Sequence, residues 1–125
     1  MPDTRATILL VDDDSIARPF LVRCLRDVGG YHVLEAATAA EAVRICTEFE
    51  GPIGLLITDV NLEADHGRSL AHRLCLLRAG MPVLFISGAD AGDLANRGLL
   101  DRRAAFLQKP FLPKVLLGLV SEMIP

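Results

Sequence analysis

The chain has 125 residues, 51% of them apolar, with 13 basic and 16 acidic side chains and a net charge of −3. That length fits one domain around one core, and the charge balance, the lack of a Lys/Arg-rich tract and an aromatic content of 5% argue against a nucleic-acid binder. No apolar run is long enough to span a membrane and no secretory signal is present, which makes the cytoplasm the expected location and a membrane partner unexpected.

Strand one is predicted at about Thr7 to Val11. A helix follows with Ile16, Phe20, Leu21, Cys24, Leu25 and Val28 at helical spacing, capped by Asp14 or Ser15 and ended by Gly29-Gly30. Strand two is about His32 to Ala36. Thr38-Ala-Ala-Glu41 then has the form of a capping box opening helix two, whose buried stripe is Ala42, Ile45, Cys46 and Phe49. Gly51-Pro52 breaks that helix. Strand three is predicted over Ile53 to Thr58, and a loop from Val60 to His66 leads to Gly67 and helix three, with Leu70, Leu74 and Leu77 facing inward. Strand four is Val83 to Ser87, a short fourth helix is expected within Ala89 to Arg103, and strand five is about Ala105 to Gln108. Pro113 suits the first position of a fifth helix. There Leu116, Leu119, Val120 and Met123 form a core stripe, which leaves Leu117 and Ile124 over for a partner or the solvent. The mean hydropathy of +0.37 also suggests spare apolar surface. Gly118, in the middle of that helix, would permit a close approach. The cysteines, Cys24, Cys46 and Cys75, match no metal or redox spacing and read as small core hydrophobes with free thiols.

Five β–α pairs in alternation predict an α/β fold: a doubly wound, flavodoxin-like, five-stranded parallel sheet with helices on both faces and right-handed crossovers. Residues 1–125 read as one domain, without linker or repeat. With strand order 2-1-3-4-5, strands one and three meet at the switch point, where open sheets bind ligands beyond their carboxyl ends.

Every polar group of interest stands at such an end. Asp12, Asp13 and Asp14 follow strand one, Asp59 follows strand three, Ser87 closes strand four and Lys109 follows strand five. Several carboxylates within a few ångströms repel one another. A hard divalent cation such as Mg²⁺, which takes oxygen ligands and keeps waters, would relieve that repulsion. A carboxylate, a hydroxyl and an ammonium around one cation suit phosphoryl transfer, which needs mainly positioning and charge neutralisation. Asp59 is the candidate phosphoryl acceptor, because it stands alone after an apolar strand.

Taken in order, Val11-Asp-Asp-Asp14, Asp59 with Gly67 eight residues later, Ser87-Gly88 and Lys109-Pro110-Phe111 resemble the receiver domain of two-component response regulators over Thr7 to about Ile124. The stretches around Ser87 and Lys109 look most like receivers of hybrid sensor kinases or stand-alone receivers. The resemblance implies that Asp12 and Asp13 help bind Mg²⁺, with Mn²⁺ as a substitute, and that the backbone carbonyl of Asn61 is a further ligand beside Asp59. It implies Asp59 as the phosphoacceptor, Ser87 as the switch hydroxyl, Lys109 as the phosphate counterion and Phe106 as the switch aromatic. A histidine kinase or His phosphotransfer domain would be the donor. The surface of the fourth helix, fifth strand and fifth helix would serve a homodimer or an output partner. The only chemistry implied is self-phosphorylation from a donor and self-dephosphorylation. The sequence departs from the family at Glu63, where proline is usual, and at His66, where Asp or Ser is usual. Asp14 reads as a helix cap rather than a metal ligand, and Phe106 as either plain core or a moving switch.

Two other readings stay open. Asp12-Asp-Asp14-Ser-Ile16 loosely resembles the nucleophile motif of haloacid-dehalogenase-type phosphatases, but only Glu122 follows Lys109 where that family needs a further acidic pair. A receiver-like binding module that no longer switches by phosphate is the third.

Overall fold

Short apolar strands, buried on both faces, build this sheet and its two cores. The computed structural model describes residues 5–62, 65–88 and 104–124, with the side chains of 61–68 excepted. Five parallel strands, β1 (Thr7–Val11), β2 (His32–Ala36), β3 (Leu55–Asp59), β4 (Val83–Ser87) and β5 (Ala104–Gln108), lie in the order β2-β1-β3-β4-β5. Because successive side chains point to opposite faces, Leu9, Val11, Leu56 and Phe85 pack on one side with Ala42, Cys46, Leu70 and Leu74. Ile8, Leu10, Leu55, Ile57 and Leu84 pack on the other with Leu21, Leu25, Leu116 and Val120. The first core lies under helices α2 (Ala39–Glu48) and α3 (Gly67–Leu77), and the second under α1 (Ala17–Arg23) and the C-terminal helix (Pro113–Met123). Burial on both faces explains why these strands read as continuous apolar runs rather than alternating ones.

The local signals act as their chemistry requires. The Thr38 hydroxyl accepts from Glu41 N at 3.1 Å, while the Glu41 carboxylate reaches back to Ala37 N at 2.9 Å, one residue before the position of an ideal capping box. Pro113 opens the C-terminal helix, and Gly30 takes φ +75 after the first helix, a conformation that favours glycine. The three cysteines are free thiols. Cys24 and Cys46 are buried, and burial raises the pKa of both.

Several expectations are corrected. The first helix is not uniform: after Arg23 it widens into a π-helical turn, Cys24–Val28, with Gly29 N bonded to Cys24 O at 3.1 Å. Leu21, Val22, Cys24 and Leu25 are buried, whereas Ile16, which precedes the helix, and Phe20 are exposed, and the wider turn leaves Val28 exposed as well. Strand three begins at Leu55 instead of Ile53 and runs on to include Asp59. The following loop holds a small antiparallel hairpin, Asn61–Leu62 against Asp65–His66. Leu77 faces out at 51% exposure, because the inward stripe of α3 is Leu70, Ala71 and Leu74 and passes next to Arg78. Leu117 and Ile124 are not spare, since both pack against the second core. The exposed apolar groups near that helix are Leu112 and Val115. Among the described residues, a Cβ on Gly118 would meet nothing within 4 Å, so this glycine serves no close approach to them. The fourth helix expected within 89–103, Glu63 and Ala89 lie outside the described residues, as does the His66 side chain.

Candidate functional site at the carboxyl rim of the sheet

The ladder between β1 and β2 continues one residue past Val11, where Asp12 N donates to Ala36 O at 3.0 Å. That bond fixes the start of the acidic turn. Asp12 is 3% exposed, and its Oδ1 accepts from Asp14 N at 2.8 Å. Asp14 is exposed and accepts at Oδ1 from Ile16 N at 2.8 Å and Ala17 N at 3.1 Å, which makes it the cap of α1. Those two bonds hold its pKa below the ordinary carboxylate value. Asp13, between them, is half-buried.

Asp59 is the last residue of β3, aligned with Ile86 of β4. Its side chain is 14% exposed, so it is accessible from the rim. The Lys109 ammonium donates to Asp59 Oδ2 at 3.0 Å, and the backbone places it there because Lys109 N donates to Ser87 O at 2.8 Å. Ser87 is buried. The Lys109–Pro110 peptide is cis. Lys109 and Asp59 are in contact, their charges act on Asp12, and Ser87 lies at the adjoining strand end. Asn61 lies two residues past Asp59, in the first strand of the hairpin. Phe106 is half-buried and packs against the first core, aligned with Phe85.

The charges at this rim are coupled. Burial raises the pKa of Asp12, and the Asp59 and Asp14 charges raise it further, against the opposing hydrogen bond from Asp14 N and the Lys109 charge. Desolvation pulls the Lys109 pKa down. The Asp59 hydrogen bond and the charges of Asp59, Asp12 and Asp14 outweigh it, and the net result lies above the usual lysine value. A buried Asp12 carboxylate thus stands near the Asp59–Lys109 pair, with burial as the main cause of its raised pKa and neighbouring carboxylates as a smaller one.

Carboxylates on neighbouring strand ends are hard oxygen donors and fit a divalent cation. Among the described residues, no three His, Cys, Asp or Glu side chains gather as a ready-made cage. Mg²⁺ needs none, since it binds through one or two carboxylates and retains waters. Sequence reasoning missed two contributors. The Thr58 hydroxyl donates to Asp59 O at 3.1 Å, and Arg18 Nη1 donates to Asp12 O at 2.9 Å. Arg18 was visible only as a basic residue four positions after Asp14, within the first turn of a helix.

Comparison with known proteins agrees with this geometry. The family model for the response regulator receiver domain matches residues 8–121. The chain is 34% identical over 119 residues to the sensor kinase CckA of Brucella abortus (strain 2308), which covers 95% of the chain but 12% of that kinase. It is 33% identical over 117 residues to the response regulator receiver protein CpdR of the same organism, covering 94% of the chain and 95% of CpdR. The crystal structure of the receiver domain from the hybrid histidine kinase CckA superimposes with a TM-score of 0.80 at 35% identity, covering 96% of this chain and 100% of that one. These likenesses favour neither the dehalogenase-type phosphatase nor the phosphate-independent module. Receiver domains are signalling domains that take phosphate from histidine kinases, and the family is generally Mg²⁺-dependent. The chain belongs to the response regulator receiver domain family and is a phosphorylatable signalling switch of two-component systems.

Proposed function

We propose that Asp59 is the phosphoacceptor of this switch. The observation that carries the assignment is the 3.0 Å contact between Lys109 Nζ and Asp59 Oδ2, made at a rim that also holds the buried carboxylate of Asp12. An Asp59 carboxylate oxygen attacks the phosphorus of a phosphohistidine on a histidine kinase or His phosphotransfer domain. The phosphorus–nitrogen bond breaks, and the nitrogen leaves with the electron pair. Lys109 keeps its ammonium against the transferred group, and the Ser87 hydroxyl donates to one of its oxygens. Asp12, Asp13, Asp59 and the Asn61 carbonyl would hold Mg²⁺, or Mn²⁺ in its place, and the ion would supply neutralisation of charge on the phosphoryl oxygens. The chain acts on no separate substrate; its chemistry is its own phosphorylation and dephosphorylation.

Drawing Ser87 toward the phosphoryl group opens space for Phe106 to turn. That change alters the surface of strand β5 and the C-terminal helix for an output partner or a second copy; the fourth helix expected to share this surface lies outside the described residues. Phosphorylation shifts this equilibrium only as far as it favours the active arrangement. Residues 1–125 form one receiver domain in this reading, supported by a single family match over 8–121. No described helix is long and apolar enough to cross a membrane; the proposed location is the cytoplasm, and neither membrane nor nucleic acid is a proposed partner.

Beryllofluoride with Mg²⁺ tests the assignment. Wild-type protein shifts its amide NMR spectrum around residues 59, 87 and 106 and becomes phosphorylated by phosphoramidate, whereas Asp59→Asn does neither. A phosphorylated Asp59→Asn protein would move the acceptor elsewhere.

A further inference from the structure

We propose that Arg18 is a positioning residue for the metal-binding acidic pair, an inference that rests on the site reading above. Its guanidinium donates through Nη1 to the carbonyl of Asp12 at 2.9 Å and pairs through Nε with Glu35 Oε1 at 3.4 Å. The Asp12 carbonyl belongs to the peptide plane that joins Asp12 to Asp13. Holding that oxygen therefore sets the orientation of the plane, and with it the direction in which both side chains leave the backbone. The peptide plane before it is already held, because Asp12 N donates to Ala36 O of β2. Glu35, which positions the guanidinium, is the residue just before Ala36 on the same strand. Arg18 N also donates to Asp14 O at 3.0 Å, so one residue of α1 fixes the acidic turn at both its first and third positions.

The guanidinium suits this task because its planar fork presents several donors in fixed directions. One reaches a neutral carbonyl while another keeps the carboxylate of Glu35. Lysine, a point charge on a flexible stem, satisfies one of the two at a time. The hydrogen bond of Arg18 goes to the backbone carbonyl of Asp12 and not to the carboxylate, so its influence runs through the backbone. This is the role that outer hydrogen-bond partners play around metal sites, where their loss typically costs about 10–100-fold in metal affinity.

The experiment measures Mg²⁺ affinity by calorimetry, and the carbonyl ¹³C shift of Asp12 by NMR, on the full chain without phosphodonor. Arg18→Ala is expected to weaken Mg²⁺ binding about tenfold and to move the Asp12 carbonyl shift already in the metal-free protein. Arg18→Lys, which keeps a donor for the carbonyl, should recover part of both. Should Arg18→Ala fold poorly, Arg18→Gln removes the charge and the fork and is read by the same two measurements. An unchanged affinity in the variants, with wild type binding Mg²⁺, overturns the role of Arg18 alone. No Mg²⁺ binding by wild type overturns the site reading on which it rests.

Discussion

Lys109 and Arg78 hold opposite rims of one sheet, and they are satisfied in opposite ways. At the amino rim, the Arg78 guanidinium donates to Cys46 O at 3.2 Å and also to the carbonyls of Phe49 and Gly51, and it lies 5.9 Å from the centre of the Phe49 ring. These neutral acceptors close the end of α2, where the helix dipole favours a cation. At the carboxyl rim, Lys109 meets the carboxylate of Asp59 while the charges of Asp12 and Asp14 act on it as well. The acceptors of Arg78 at one rim are neutral carbonyls; at the other rim a buried carboxylate stands near further acidic groups. The Arg78 contacts tie the end of α2 to the residue that follows α3. The buried charge of Asp12 is a local cost in stability, of the kind that sites retain for a ligand that removes it.

Adding metal should separate the two rims most clearly. At a Mg²⁺ concentration a hundredfold above Kd, wild-type protein should gain about 2.7 kcal/mol in urea unfolding, and Asp12→Asn should gain almost nothing. Equal gains in both proteins would remove Asp12 from the metal site. The amino rim should respond to Arg78→Ala instead, with a loss of about 2 kcal/mol as the end of α2 loses its donors, while Mg²⁺ affinity stays unchanged. Arg78→Lys should recover little of that loss, because one ammonium cannot reproduce the fork.

Acidity provides a finer contrast. The folded-state pKa of Asp12 is raised, first by burial, so its ionisation opposes folding. The associated stability is fully present below the ordinary carboxylate pKa and is lost as pH rises through the folded value. Metal-free Asp12→Asn should therefore be more stable than wild type at neutral pH, and the difference should close on acidification. Asp14 behaves in the opposite sense. Its folded pKa is lowered by bonds from Ile16 and Ala17, so its contribution is present above the ordinary value and fades as pH falls through the folded one. The destabilisation in Asp14→Ala should accordingly be visible at neutral pH and shrink in acid. A pH-independent difference in either variant would detach it from these charges.

The smallest expected change lies away from both rims. Gly118→Ala should stabilise the metal-free chain by up to about 1 kcal/mol, the propensity difference between the two residues in a helix, since its Cβ meets no neighbour among the described residues. If analytical ultracentrifugation shows a dimer of wild type that this variant loses, the glycine serves an approach by a second copy.

Most of the architecture was legible before any coordinates. The limits of β1, β2 and β4 follow from apolar runs punctuated by Gly, Pro and charged residues, and the five-strand alternation dictates a parallel sheet. Thr38, Glu41 and Pro113 act through bonds to residues a few positions away, so sequence spacing alone reveals them. The acidic run, Asp59, Ser87 and Lys109 were legible for a related reason: each follows a strand, and parallel strands of one sheet bring their carboxyl ends to one rim. What periodicity could not supply is phase. A widened turn after Arg23 turned Val28 outward, and α3 packs through Ala71 rather than Leu77, because the fit of each helix on the sheet selects one of several nearby apolar faces. Partnerships between distant residues were equally hidden. The sequence by itself determined which groups reach the rim. Only the tertiary structure decided that Lys109 binds Asp59, that Arg18 grips the Asp12 carbonyl, and that Arg78 closes α2, because hydrogen bonds over long sequence separations depend on chain packing that no local pattern encodes.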